Sequence, residues 1–196
     1  MKLLVLFLCL VSPLMSSAQK FTSLYNGKDL SGWKINGTEK WYVENGEIIG
    51  ESGPDKGFGY LSTEKPYKNF ILEMHFLFER GNSGVFFRSN IDGQIIDGWQ
   101  VDVSEKFTGK IFESYGRGNL CLPSEKVSGM YKPNEWNYLR IYVNDDRVTT
   151  WLNGREMCDL QDKQIGAGEG YIALQVHHDG ETKVRWKNIR IRELGK

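Results

Sequence analysis

The chain lacks an excess of charge of either sign, long apolar stretches and helical periodicity. Its 196 residues include 25 lysines and arginines against 25 aspartates and glutamates, so the formal net charge is zero. A balanced surface argues against nucleic acid or an anionic membrane as the partner. The three cysteines form no CxxC pair, and no Cys/His spacing typical of a zinc site occurs. The absence of helical periodicity over a convincing length excludes a mainly helical fold.

The first eighteen residues have the pattern of an export signal. Lys2 supplies the positive start, and residues 3–11 form an apolar run that is too short to span a bilayer. Residues 16–18 are small, and no small residue precedes Cys9 as in a lipoprotein signal. We therefore expect a signal peptide over residues 1–18 and a single exported domain over residues 19–196. The expected location is periplasmic or extracellular, without a transmembrane segment.

Two cysteines, Cys121 and Cys158, lie in the exported part of the chain. An oxidising compartment permits a disulfide bond between them, but the sequence does not show whether their geometry allows it. A bridge and two unpaired thiols are both open at this point, and so is the oligomeric state.

Alternation of apolar and polar residues is the main structural signal. Short alternating stretches recur about every ten residues, and turn dipeptides such as Asn45-Gly46 and Asn153-Gly154 separate them. This pattern predicts an all-β fold, a two-sheet antiparallel jelly-roll sandwich. A shared alternation phase predicts one core, formed by Leu72, Met74, Phe76, Val85, Phe87, Val101, Leu139, Ile141, Leu174 and Val176.

Five segments in order along the chain resemble a known family. They are residues 21–33 (FTSLYNGKDLSGW), 81–88 (GNSGVFFR), 98–103 (GWQVDV), 136–140 with 151–154 (WNYLR and WLNG), and 188–194 (NIRIREL). Together they resemble the bacterial 3-keto-disaccharide hydrolase family, long called domain of unknown function 1080, and the resemblance covers essentially all of the exported part.

The resemblance implies a concanavalin A-like jelly roll and an exported carbohydrate-active enzyme of the kind common in gut Bacteroidetes. Such enzymes cleave 3-keto-glycosides, by a 1,2-lyase and hydratase route or by net hydrolysis. Because this type of fold also hosts binding modules, a non-catalytic carbohydrate-binding domain is the alternative. The ExDxxE strand of the similar family 16 glucanases has no counterpart here, which disfavours a retaining glycosidase with two catalytic carboxylates.

Cleavage next to a ketone at C3 needs a base for the C2 proton, an electrophile or metal for the enolate oxygen, and an acid for the leaving oxygen. His177 is the leading base or metal ligand, because it ends a strand on the polar face and imidazole exchanges a proton near neutrality. A surface histidine is the alternative, and this is the interpretation for neighbouring His178. Asp102 is a candidate base or hard-metal ligand, with a solvated carboxylate as the alternative.

The remaining candidates are a second acid and several substrate contacts. Residues 108–113 resemble a segment of the family that ends in an acidic residue. Glu113 is the last residue of this segment, so we expect a second acid or ligand there. A divalent metal held by His177, Asp102 and Glu113 is therefore an open alternative. For Arg88 an ion pair with Glu73 or Asp102 is the alternative role, and Trp99 is expected in the core or at an edge. The expected substrate contacts are Arg88, Gln100, Arg117, Gln175 and His75.

A common core face forces a common opposite face on neighbouring strands. We therefore expect five of these side chains to line one concave cleft: His177, Gln100, Asp102, Arg88 and Glu113.

Overall fold

The computed structural model describes residues 20–124, 129–178 and 181–195, so the expected signal peptide lies outside the described residues. The strands, in chain order, are β1 (Thr22–Ser23), β2 (Trp33–Asn36), β3 (Lys40–Glu44), β4 (Glu47–Glu51), β5 (Gly59–Thr63), β6 (Phe70–Arg80), β7 (Ser83–Asp92), β8 (Ile95–Val103), β9 (Ile111–Ser114), β10 (Gly118–Cys121), β11 (Asn137–Asn144), β12 (Arg147–Leu152), β13 (Arg155–Gln161), β14 (Tyr171–Val176) and β15 (Lys183–Glu193). The one helix in this part of the chain is α1 (Lys163–Gly166). No helix among the described residues has the length and apolar character needed to cross a membrane.

The strands form two antiparallel sheets. The eight-stranded sheet has the order β13-β12-β11-β6-β15-β4-β3, with β1 paired to β15. The seven-stranded sheet has the order β10-β9-β8-β7-β14-β5-β2. Both sheets combine hairpins of consecutive strands with pairs of strands that are distant in sequence, such as β6 with β15 and β7 with β14, as in a jelly roll. The all-β prediction is confirmed.

The core lies between the inner faces of the two sheets. All ten side chains predicted there are fully buried in one hydrophobic cluster. The alternation is complete in β11, where buried and partly exposed residues follow one another along the whole strand. Full burial of each large apolar side chain stabilises the fold by about 1.5–3 kcal/mol, so the shared phase of the strands accounts for the sandwich.

Two hairpins form where the turn dipeptides predict them. Asn45 and Gly46 both have positive φ angles, 53° and 77°, between β3 and β4. Asn153 and Gly154, with φ angles of 50° and 81°, connect β12 to β13 in the same way. Positive φ at both central residues is the requirement of the tight turn that matches strand twist. These turns set the register of the hairpins.

A disulfide bond joins Cys121 to Cys158, with their Cα atoms 6.1 Å apart. Of the two alternatives that the sequence left open, the structure has the bridge. Cys121 ends β10 and Cys158 lies in β13, and these strands are the terminal members of the two sheet orders. The bond therefore ties the two sheets together at one edge of the sandwich.

The outer face of the seven-stranded sheet is covered in its middle by a small apolar cluster. Tyr60, Phe86, Ile96 and Ala173 are buried there, on the side away from the core, and Phe58 packs against them. Burial of apolar side chains on an outer face is unusual for an ordinary solvated sheet. The outer face of the seven-stranded sheet is therefore the candidate location of a functional site.

Candidate functional site

A pocket of about 400 Å³ opens beside this cluster, within the size range of small-molecule sites. We call it the main pocket. Strands β5, β7, β8, β9 and β14 and their flanking loops supply its walls. The lining residues are Phe58, Tyr60, Asn82, Phe86, Gln100, Asp102, Lys110, Phe112, Ser114, Tyr115, Gln175 and His177.

An ion pair between Asp102 and Lys110 lies in one wall of the main pocket. The Nζ atom of Lys110 is 3.0 Å from Oδ2 of Asp102, and their side chains are only 15% and 9% exposed. The hydroxyl of Ser104 donates to the other carboxylate oxygen at 2.5 Å. The turn after β8 brings the lysine back to its partner, because Gly109 takes a φ of 95° and the backbone N–H of Asp102 donates to the carbonyl of Lys110. The pocket thus holds a poorly solvated cation in a defined position.

Two side-chain amides form the floor next to this pair. Nε2 of Gln100 donates to Oε1 of Gln175 at 3.3 Å, and both residues are buried. Gly84 leaves room for this contact, since a Cβ atom there would overlap the Gln100 amide. Tyr60 lines the same pocket, and burial raises the pKa of its hydroxyl. Buried Oδ1 of Asn82, without a hydrogen-bond partner, adds an acceptor. These groups can bind the hydroxyls of a neutral polar ligand.

His177 reaches the main pocket from the residue after β14. Its ring packs edge-on against Phe58, with the ring centres 5.1 Å apart. Its Nδ1 atom lies 3.0 Å from Nδ1 of His178, whose ring also stacks on Phe58. Such a contact requires one Nδ1 to carry hydrogen and the other to accept it, so His178 helps to set the tautomer of His177.

Comparison with known proteins identifies the family. The family model of the 3-keto-alpha-glucoside-1,2-lyase-like domain matches residues 20–192. The chain belongs to this family. The predicted resemblance is therefore confirmed. No curated protein matches the sequence.

Solved structures with the same fold include members of several groups. A proposed glycosyl hydrolase from Parabacteroides distasonis has a TM-score of 0.68 at 24% identity, over 89% of this chain and 94% of that one. The carbohydrate-binding module CBM66 from Bacillus subtilis has a TM-score of 0.62 at 20% identity, over 88% and 100%. A Bacillus subtilis protein of unknown function with a galectin-like fold has a TM-score of 0.68 at 11% identity, over 84% and 90%. At these identities the likeness shows the fold alone.

Four of the eight residues assigned to the site of this lyase-like domain from its sequence lie together in the main pocket. They are His177, Asp102, Gln100 and Gln175. The other four lie elsewhere, each for a separate structural reason.

Arg88 does not line the main pocket, so its predicted placement is wrong. A β-bulge interrupts the pairing of β7 after Phe87, and Arg88 takes a φ of 48°. The side chain is 2% exposed and is held by four acceptors. They are the carbonyl oxygens of Lys68, Asp145 and Ile165 and the Oδ1 atom of Asn69. Neither predicted ion-pair partner, Glu73 or Asp102, is among these acceptors. Arg88 therefore has a structural role, in which its hydrogen bonds connect the chain segments that contain these four acceptors.

Glu113 and Arg117 form a separate ion-pair group. Glu113 lies opposite Trp99 in the β8–β9 ladder, so its side chain takes the face opposite Gln100 and Phe112. It binds Arg117, which also binds Asp162 at 2.6 Å, and the guanidinium holds the pKa of the Glu113 carboxyl below its ordinary value. The predicted placement of Glu113 in the cleft is therefore wrong.

The divalent-metal site considered from the sequence needs Glu113 as its third ligand, and Glu113 lies outside the main pocket. Among residues 20–124, 129–178 and 181–195, no three His, Cys, Asp or Glu side chains are grouped so that they could hold a metal ion. The described residues therefore do not fit a divalent metal held by His177, Asp102 and Glu113.

His75 lies on the other sheet. It is a residue of β6, and its ring contacts Tyr138 on the outer face of the eight-stranded sheet. His75 was expected as a substrate contact, but it does not line the main pocket. Trp99, by contrast, packs against Phe87 on the core side, as expected.

Eight of the twelve residues that line the main pocket were not assigned to the site from the sequence, among them Lys110 and Phe58, and the contact of His178 with His177 was not predicted. Lys110 lies in residues 108–113, a segment that was interpreted only for Glu113. The ion pair of Lys110 with Asp102 depends on the turn after β8, which the sequence does not show. Phe58 lies in a glycine-rich loop, and His178 was interpreted as a surface residue. The signal that could have pointed to Lys110 is its position two residues before Phe112, on the same face of a short strand.

Proposed function

We propose that this protein is an exported enzyme that cleaves 3-keto-glycosides after abstraction of the C2 proton. Membership of the 3-keto-alpha-glucoside-1,2-lyase-like family over residues 20–192 supports this function. The observation that carries it is the location of His177, Asp102 and Lys110 in one pocket of about 400 Å³.

The reaction proceeds in two balanced steps. A ketone at C3 acidifies the C2 hydrogen, so a base removes that proton and leaves an enolate. The enolate re-forms the C3 carbonyl, makes a C1–C2 double bond and expels the group on C1, whose oxygen takes up a proton. Water then adds its oxygen to C1 and a proton returns to C2, which gives net hydrolysis.

His177 moves the proton and Lys110 stabilises the charge. His177 accepts the C2 proton and, as imidazolium, donates a proton to the leaving oxygen. The ammonium group of Lys110 stabilises the negative charge that develops on the C3 oxygen, where a fixed cation in a poorly solvated wall acts strongly. Asp102 positions this ammonium.

The rest of the main pocket suits a neutral sugar. One cation and one carboxylate balance each other, and the Gln100, Gln175 and Asn82 amides bind hydroxyls. The rings of Phe112 and Tyr115 pack against the C–H faces of a sugar ring.

The test uses purified protein that begins at Gln19. It is mixed with a 3-keto-disaccharide or with the same disaccharide unoxidised, each with and without a chelator, and the products are separated by chromatography. Turnover of the keto sugar alone supports the proposal. Absence of turnover on both sugars contradicts it, and a loss of activity with chelator would mean that the reaction uses a metal ion.

Export rests on the signal pattern of residues 1–18. Mass spectrometry of the protein from its native host is expected to find Gln19 at the mature N-terminus. An intact Met1 would contradict export by this signal.

A non-catalytic carbohydrate-binding domain is the second candidate. The aromatic side chains of the main pocket favour it, since rings that pack on sugars are also used by binding modules. The fold likeness to the carbohydrate-binding module CBM66 agrees with such a role. Saturable binding of an unoxidised sugar without turnover of its 3-keto form would establish this candidate in place of the enzyme.

A further inference from the structure

The outer face of the eight-stranded sheet carries another pocket, of about 420 Å³. We call it the second pocket. It belongs to the opposite sheet from the main pocket, and the two share no residue. Its walls are formed by Phe21, Ser23, Glu73, His75, Tyr138, Asn188 and Arg190.

A β-bulge in β15 shapes this pocket. The pairing of β15 with β6 shifts by one residue between Lys187 and Arg190, and Asn188 takes a φ of 55° there. Ile189 is buried in the core, while Asn188 is exposed and lines the second pocket. Bulges of this kind re-aim a side chain and are over-represented next to functional sites.

Cations outnumber carboxylates around the second pocket. Glu73 is 4% exposed, and it binds Arg190 at 2.6 Å and Arg140 at 3.5 Å. Burial and the nearby Glu73 carboxylate raise the pKa of the Tyr138 hydroxyl. Two further cations, Lys187 and Arg192, lie on the same face. Glu73 and Arg190, the charged residues that line the pocket, neutralise each other. Arg140, Lys187 and Arg192 add positive charge around the pocket, and this surplus suits an anion.

Three buried nitrogen atoms on this face of the sheet have no hydrogen-bond partner among the described residues. They are Nδ1 of His75 and the Nε atoms of Arg140 and Arg192. Burial, together with the charges of Lys187 and Arg190, lowers the pKa of the His75 imidazole. Buried groups of this kind normally have hydrogen-bond partners. Of these three side chains, that of His75 is among the residues that line the second pocket, where it leaves hydrogen-bonding capacity unused.

Aromatic rings and small polar groups complete the pocket. The guanidinium groups of Arg190 and Arg192 lie 4.8 and 5.3 Å from the ring centre of Phe21. The ring of Tyr138 lies 5.3 Å from that of His75. With exposed Ser23 and Asn188 at its rim, the pocket combines flat apolar walls with hydroxyl-binding groups and positive charge.

We propose that the second pocket binds a carboxylated sugar, a single residue of the uronic acid class. Arg190 binds the carboxylate, Phe21 and Tyr138 pack against the sugar ring, and Asn188 and Ser23 bind hydroxyls. This inference does not depend on the chemistry of the main pocket.

Histidine resonances separate the two pockets in an NMR titration. The chain has three histidines, and His75 lines the second pocket whereas His177 lines the main pocket. Glucuronate added to the wild-type protein is expected to shift the His75 ring signals in a saturable way and to leave those of His177 in place. Glucose, which lacks the charge, and acetate, which lacks the ring, are expected to bind at least tenfold more weakly. Equal binding of acetate, equal binding of glucose, or no saturable shift at His75 would overturn the proposal.

A matched pair of variants tests the role of the guanidinium. Arg190→Gln is expected to weaken glucuronate binding at least tenfold, because a charge-assisted hydrogen bond is lost. Arg147→Gln, at an exposed arginine of the same sheet paired with Asp159, is the control and should bind as the wild type does. If Arg190→Gln does not fold, Tyr138→Leu replaces it and is expected to weaken binding less but measurably, because the ring that packs against the sugar is lost. Unchanged affinity in a folded Arg190→Gln protein would overturn the assignment.

Discussion

Replacing Lys110 with methionine removes the ammonium group from the main pocket and keeps an unbranched side chain of similar length. The Nζ atom lies 5.1 and 5.6 Å from the ring centres of Phe107 and Phe112, and the thioether of methionine can contact the same rings without the charge. The substitution therefore isolates the charge. A fixed cation at a developing oxyanion is worth about 2.7–4 kcal/mol, so kcat should fall roughly 10²–10³-fold.

The same substitution has a predictable effect on stability. Asp102 is 6% exposed and loses its cation, although the hydroxyl of Ser104 still donates to it. Hydrogen bonds to charged groups contribute about 1.5–3 kcal/mol, so the free energy of unfolding should fall by about 2 kcal/mol. Lys110→Met/Asp102→Asn should recover part of this loss, because neither charge is then left alone.

The assay compares kcat on a 3-keto-disaccharide with the affinity for the unoxidised sugar. Lys110→Met should lower the first and leave the second within a few fold of the wild type. Lys34→Met is the matched control, because Lys34 is an exposed lysine of the same sheet, and it should change neither. A folded Lys110→Met protein with nearly full kcat would refute the role of the ammonium. Equal losses of turnover and affinity would make Lys110 a binding group.

Three further predictions concern the main pocket and the disulfide. His177→Ala should lower turnover of the keto sugar by roughly a hundredfold or more, the usual scale for an acid–base group. Gly84→Ala should raise KM about fivefold, since the new Cβ displaces Gln100 from its hydrogen bond, worth about 1 kcal/mol. Replacing both Cys121 and Cys158 with serine should lower the free energy of unfolding in urea by about 4 kcal/mol, for a bridge that closes 37 residues.

Each of these predictions has its own comparison. The comparison for His177→Ala is His178→Phe, which keeps the stacking on Phe58 but loses the Nδ1 contact with His177. This variant should lower kcat only about fivefold. Near-full turnover of His177→Ala would remove it from the mechanism. For Gly84, an unchanged KM would show that the amide floor does not contact substrate. For the disulfide, an unchanged unfolding curve with reductant would show that the bridge does not stabilise the fold.

The fold could be predicted because alternation is a local property of the chain. The faces of a strand follow from its own sequence, and Leu139 and Ile141 alternate with partly exposed neighbours without interruption. Turn residues are equally local, since Asn45 and Gly46 adopt the backbone angles that their types favour. The phase of Gln100, Asp102 and His177 relative to the core follows from the same rule.

Alternation could not predict the fate of Arg88 or Glu113. A β-bulge interrupts the alternation of inward and outward side chains in β7 beside Arg88. The residue types around Arg88 do not indicate this bulge. The sheet face to which the Glu113 side chain points depends on the pairing of Glu113 with Trp99 between β9 and β8. The sequence of one strand does not determine its register with the next.

The sheet to which a strand belongs is also a property of the whole fold. His75 alternates with core residues just as Gln100 does, yet β6 and β8 lie in opposite sheets. Phase within a strand therefore assigns a side chain to an outer face without identifying which of the two. The same limit hid Lys110, whose approach to Asp102 depends on the turn between them.

Deuterium incorporation tests the central claim, abstraction of the C2 proton, most directly. A 3-keto-disaccharide is incubated with the protein in D₂O, and the released keto sugar is examined by NMR at C2, with reactions lacking protein or containing His177→Ala to measure spontaneous exchange. The account predicts deuterium at C2 of the product in excess of both comparisons. Turnover that leaves the original hydrogen at C2 would contradict it, because the C1 bond would then break without an enolate.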